Sequence, residues 1–164
     1  MNLMRKLVTS IDFPASIGAG LAAGAAFYAT MLIDLKLTGR NVDDRIFLAG
    51  PLTDSPEAAK RLGTVIHVAN SVAFACLYSA VEPIIPGPPW FKGTLFFNLE
   101  NVVLYPLTAV GDRHPSIRNG DIEPYWTWPA FVQSIPRHVA YGATLGIVYA
   151  KLHNGGGLGP TTID

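Results

Sequence analysis

"RLGTVIHVANSVAFACLYSAVEP", Arg61 to Pro83, decides how the rest of the chain is read. From Gly63 to about Val81 it is apolar or small-residue throughout, with a single imidazole, His67, set into it. A hydrocarbon layer roughly 30 Å thick is crossed by about 20 mainly apolar residues in helical form. This stretch is long enough to do so, and three others come close. Spans are predicted over residues 13–37, 62–83, 90–110 and 135–152. The last is the weakest, because Pro136 and Arg137 sit near its start.

The composition agrees with a membrane chain. Of 164 residues 49% are apolar and only 15% charged, against about 25% charged in an ordinary soluble domain. A soluble protein of buried helices is the rival reading. Three of the spans are apolar all round rather than amphipathic, which favours lipid. Arg5 and Lys6 ahead of the first span, with Ala23-Gly24-Ala25 inside it, imitate a cleavable leader; the stretch is read as a retained span. The connections carry more basic residues than the terminal side, but they are longer and the amino terminus is itself basic, so orientation stays open. The fold class expected is therefore all-α: an integral membrane four-helix bundle, residues 1–152, with a flexible Gly-rich tail over 153–164. The segments "RIFLAGPL" and "YWTWPAFVQSI" in the two long connections are apolar enough to lie along the membrane surface.

Several function classes drop out early. Net charge is zero and there is no basic tract, so no nucleic-acid partner is expected. Cys76 is the only cysteine, which excludes an internal disulfide and a thiolate metal cage. The chain carries no Gly-rich phosphate loop, GxSxG or HExxH. No catalytic residue or metal site is assigned, and the protein is read as not an enzyme. His114, with Asp112 and Arg113 beside it, is read as a solvated loop histidine.

An offset of 71 residues lays the second span over the fourth and aligns His67 with His138, Ser71 with Gly142, Ala75 with Gly146 and Tyr78 with Tyr149. Steps of four put each His and its small residues on one stripe. The pattern predicts two duplicated helical hairpins, copies of like orientation related by an axis along the membrane normal. In lipid, apolar burial gives no net drive between helices, so close backbone approach through small residues supplies the contact. Ser16, Gly20 and Gly24 in the first span, Ser71 and Ala75 in the second, and Gly142 and Gly146 in the fourth are the predicted packing residues. Their contacts lie either within the bundle or with another chain.

Ionisable groups at membrane depth are costly and are functional candidates by default. His67 and His138 are expected at matched depth, as two axial ligands of haem b would be; otherwise each imidazole fixes packing by a hydrogen bond. With no carboxylate expected at their level, a mononuclear metal fits poorly. Glu100 lies near the middle of the third span, flanked by Asn98 and Asn101, with Pro106 expected to kink the helix one turn later. It is either a carboxyl hydrogen-bonded within the bundle or a stop on a proton or ion path.

The order of features in Gly18 to Ala29, His67 to Tyr78 and His138 to Tyr149 resembles the uncharacterised YagU-like four-helix proteins of the bacterial inner membrane. The resemblance implies a multi-pass topology and that location, and no activity. The reading that results is a non-catalytic accessory or scaffold subunit. Its partners are the lipid bilayer and either other membrane subunits or further copies of itself in a homo-oligomer. A bis-histidine haem protein and a proton or ion translocator centred on Glu100 are the alternatives.

Overall fold

The computed structural model describes residues 11–155. Arg5, Lys6 and the tail from residue 156 lie outside the described residues. Six α-helices follow one another: α1 Phe13–Thr38, α2 Asp44–Ala49, α3 Pro56–Val81, α4 Pro89–Leu104, α5 Pro115–Arg118 and α6 Trp128–Gly155. Among the described residues there is no strand. Two helices, α1 and α3, are long and apolar enough to cross a membrane.

Local chemistry places the helix ends. Asp12 caps α1 by accepting the Ala15 N–H at 3.1 Å, Pro14 presets the first turn, and Gly39 closes the helix at φ 66°, a left-handed conformation that favours glycine. Ser55 caps α3 from the Ala58 N–H, with Pro56 at the first helical position. The span expected over 90–110 is instead a 16-residue α-helix that tightens into a 3-10 turn at Tyr105–Thr108. Pro106 explains the change, since it cannot donate to the ladder. The fourth helix is longer than expected, starting at Trp128 and reaching Gly155, so the first three residues of the predicted tail are helical.

Helix α6 packs against both α1 and α4, and α3 packs against α1. Small residues make these approaches. A Cβ on Gly20 would stand 2.8 Å from the Ser71 carbonyl oxygen, and one on Gly24 2.6 Å from Ser71 Oγ. On the other seam Gly93 of α4 meets Gly142 and Gly146 of α6 backbone to backbone. Helices α3 and α6 run in the same direction at matched height. Tyr141 OH donates to the Ser71 carbonyl at 2.7 Å, Ser79 Oγ and Tyr149 OH are 2.8 Å apart, and the Tyr78 and Tyr149 rings meet edge to face.

The two long connections pack against each other. Val42, Ile46, Ala49, Ile117, Ile122 and Tyr125 form a second small core with Ala59 of α3 and Ala130 of α6. His114 belongs to it. Rather than being solvated it is buried, stacked on Phe47 with centroids 5.0 Å apart and bonded through Nε2 to the Phe47 carbonyl at 2.8 Å. An aromatic ring and a carbonyl in reach make burial of the imidazole tolerable.

Arg137 ties this second core to the helices. Its guanidinium is 1% exposed. Nε and Nη2 fork onto Asp34 of α1 at 2.5 and 2.6 Å, while Nη1 donates to Asp44 of α2 at 2.8 Å and to the Val42 carbonyl at 2.9 Å. Gln133 Nε2 donates to Asp34 at 2.7 Å, and Tyr125 OH donates to Asp44 at 3.0 Å. Burial and that carboxylate push the Tyr125 hydroxyl well above its ordinary pKa, which keeps it a donor. At the opposite end, Asp12 holds three helices together. Its carboxylate takes His153 of α6 at 2.7 Å, and its N–H donates to Ser79 of α3 at 3.0 Å. The His153 bond and the Ala15 amide lower the Asp12 pKa. Its contribution is therefore complete above the ordinary carboxylate range and is lost as pH falls through that lowered value.

Two stability predictions follow from these seams. Gly146→Ala drives a methyl into the Pro89 carbonyl and should cost about 1–3 kcal/mol in reversible unfolding in detergent. Gly155→Ala, with open space around it, should leave the midpoint unchanged within error. Arg137→Leu strands the Asp34 and Asp44 carboxylates and should cost about 3–5 kcal/mol. The double variant Asp34→Leu/Arg137→Leu should recover part of that loss, and Arg137→Lys should not restore the wild type, because one ammonium cannot reproduce the fork. A double variant as unstable as the sum of the singles would contradict the pairing.

Candidate functional site

Two seams of small residues bring α1 to α3 and α4 to α6, but no such seam joins α3 to α4. These two meet through rings, Phe74 against Phe97 at 5.8 Å and Tyr78 against Phe96 at 5.5 Å. Toward the end that carries the connections, they stand apart around a cavity of about 200 Å³. Its α3 wall is His67, Asn70, Ser71 and Phe74, and its α4 wall is Phe97, Glu100, Asn101 and Leu104. Phe27 of α1 and Ser134 and His138 of α6 form the back, and Phe47, Tyr105 and Tyr125 the floor. Asn70 and Leu104 are exposed at its rim, so the cavity faces sideways between α3 and α4.

The two predicted histidines both reach this cavity. The ring of Phe27 packs against both, 4.7 Å from His67 and 5.3 Å from His138 by centroids. His138 is further held by its Nδ1, which bonds the Ser134 carbonyl at 2.8 Å, and by stacking on Phe97 at 5.0 Å. His67 Nε2 is buried with no hydrogen-bond partner in the fold.

Glu100 corrects the expectation that no carboxylate shares the level of the histidines. Its Oε2 lies 3.6 Å from His138 Nε2. That is ion-pair range but too long for a hydrogen bond, and Oε2 is likewise buried without a partner. Neither neighbouring amide serves it. Asn98 folds back to bond the Thr94 carbonyl of its own helix at 2.9 Å, while Asn101 crosses to Ser134 of α6 at 2.8 Å. So the structure gathers His67, His138 and Glu100 around one space, gives Asn101 to helix packing, and turns Asn98 away. Ser16, Gly20, Gly24, Ser71, Ala75, Gly142 and Gly146 are all buried inside the chain.

Sequence reasoning passed over Phe27, Gly93 and Arg137. Phe27 looks like any apolar residue, and nothing in its spacing marks it as packing against two histidines. Gly93 lacks a second glycine four residues away. Arg137 and Asp34 did carry a signal: opposite charges at the same-side ends of two spans, where each needs a partner.

No curated protein and no solved structure matches the chain. Residues 11–156 match the model of DUF6789, a family of unknown function, and the chain belongs to that family.

Proposed function

We propose that the protein is a multi-pass integral membrane four-helix bundle of the bacterial inner membrane, serving as a non-catalytic accessory or scaffold subunit. The observation that carries this reading is an apolar outer surface. The interior between the long helices combines small residues and rings with the buried polar groups Arg137, Asp34 and Gln133, while Leu21, Ile33, Leu99, Val103, Val132 and Ile147 point outward and are exposed. Water would penalise that distribution and lipid would not. At 16 residues α4 is about 24 Å long, and its 3-10 extension adds roughly 8 Å, enough for a hydrocarbon layer. The matched height of α3 and α6 supports two repeated hairpins, and the YagU-like resemblance points to the same topology. Since the small-residue stripes are used up within the chain, a partner subunit or a second copy would meet the outer apolar faces or the second core.

A proton or ion path is the second reading, favoured by the closeness of Glu100 and His138 beside a cavity. The haem alternative has in its favour only that His67 and His138 line one cavity.

Fractionation of expressing cells should leave the protein in the inner membrane after alkaline carbonate washing, and mild-detergent extraction should yield a stoichiometric partner or a homo-oligomer. Release by carbonate would overturn the membrane reading. A clean monomer from native membranes would overturn the accessory role. For the path, proteoliposome proton flux should fall in Glu100→Gln; flux equal to wild type would remove Glu100 from it.

A further inference from the structure

Asn70, Asn98 and Asn101 lie inside the apolar stretches of α3 and α4, and the fold treats them differently. Asn98 folds back on its own helix and donates to the Thr94 carbonyl at 2.9 Å. Asn101 is buried and donates to Ser134 of α6 at 2.8 Å. Asn70 of α3 is exposed, and its carboxamide makes no hydrogen bond among the described residues.

Depth makes that exposure costly. Arg61 and Glu82 are the nearest charged residues along the chain on either side of Asn70. At the helical rise it stands about 13 Å from the level of the first and about 18 Å from that of the second. With α3 spanning the bilayer, hydrocarbon meets the amide there and offers it neither donor nor acceptor.

The surroundings restrict what can meet it. Helical steps of three and four carry Asn70 to Ala73 and Leu77 on one outward stripe, and both are exposed. Ala73 is small enough for another helix backbone to come close beside the amide. No charged residue lies between Arg61 and Glu82, so an ionised partner group would find no counter-charge on this stripe. A carboxamide donates through its amino group and accepts through its carbonyl, which makes it complementary to a second copy of itself. A two-fold axis along the membrane normal keeps both copies of each residue at one depth and brings those nearest the axis together.

We propose that two copies of this chain associate in the bilayer through the outer face of α3, with the Asn70 carboxamides paired across the two-fold axis. Each amide gives one N–H to the carbonyl of the other. The dimer rests on the membrane reading above and narrows the accessory reading, because the partner it names is a second copy.

The test is association of the full chain in phospholipid bilayers, read as energy transfer between donor- and acceptor-labelled copies over a range of protein-to-lipid ratios. Asn70→Val should raise the dissociation constant of the dimer roughly tenfold, with helical content unchanged because the side chain is exposed. Asn70→Gln, which keeps the carboxamide, should recover part of the loss. Asn98→Val removes an amide already bonded within α4 and should leave association at the wild-type level. In a Cys76→Ala background, Ala73→Cys should give a disulfide-linked dimer under mild oxidation, and Ile147→Cys on the outer face of α6 should not. Equal association of wild type and Asn70→Val would overturn the pairing. A chain monomeric at every protein-to-lipid ratio would overturn the dimer. So would a cross-link from Ala73→Cys to a different protein in native membranes with the purified chain monomeric, an outcome that leaves the accessory role standing. A chain that fails to enter the bilayer sinks the membrane reading and the dimer with it.

Discussion

Everything at the connection end of the molecule is arranged around one buried cation. A guanidinium with 1% exposure is tolerable only if its donors are met, and all three nitrogens of Arg137 are used, on two carboxylates and a carbonyl. Asp34 comes from the last turn and a half of α1, Asp44 from the start of α2, and Val42 from the connection between them. One residue of α6 therefore sets where α1 ends and where the following chain turns back. Buried ion pairs are weak evidence for raw stability, because desolvation offsets most of the attraction. Their effect here is geometric: a forked guanidinium accepts its carboxylates in one orientation only.

The second constraint is the use of glycine. Gly20 and Gly24 let α3 come close to α1, and Gly93, Gly142 and Gly146 let α4 come close to α6. Both seams pull their helices toward the α1 and α6 pair in the middle. The two outer helices are then left to bridge their own gap with Phe74, Phe97, Tyr78 and Phe96. A cavity between α3 and α4 is thus a consequence of where the small residues lie, and its ring-rich lining is a consequence of what is needed to span it.

Much of this was legible in the sequence, for physical reasons that can be named. The extent of α1 was clear from its apolar run over 13–37, and Asp12 and Gly39 bracket that run in the structure. The offset of 71 residues pointed to like-facing helices, and α3 and α6 do run alike at matched height through Ser71 with Tyr141 and Ser79 with Tyr149. What the pattern could not supply was partner choice. A lone Arg137 beside Pro136 looks like a weak helix start, and becomes a core residue only when Asp34, 103 positions away, is folded against it. Likewise Asn98 and Asn101 look equivalent beside Glu100, yet the turn of the helix sends one to its own backbone and the other to α6. His114 reads as a loop residue because its ring partner, Phe47, lies 67 positions away.

The position of Glu100 follows from the same geometry. A carboxyl in the middle of a helix seam would have to be paired or displaced by packing, and here it lines a gap the glycines leave, 3.6 Å from His138 Nε2. Had α3 approached α4 through glycine, there would be no room for either group. Phe27 of α1 packs against both imidazoles and closes part of the wall. The polar groups at this depth are therefore not scattered exceptions to an apolar core. They line a region where α3 and α4 are held apart by the tight packing on either side.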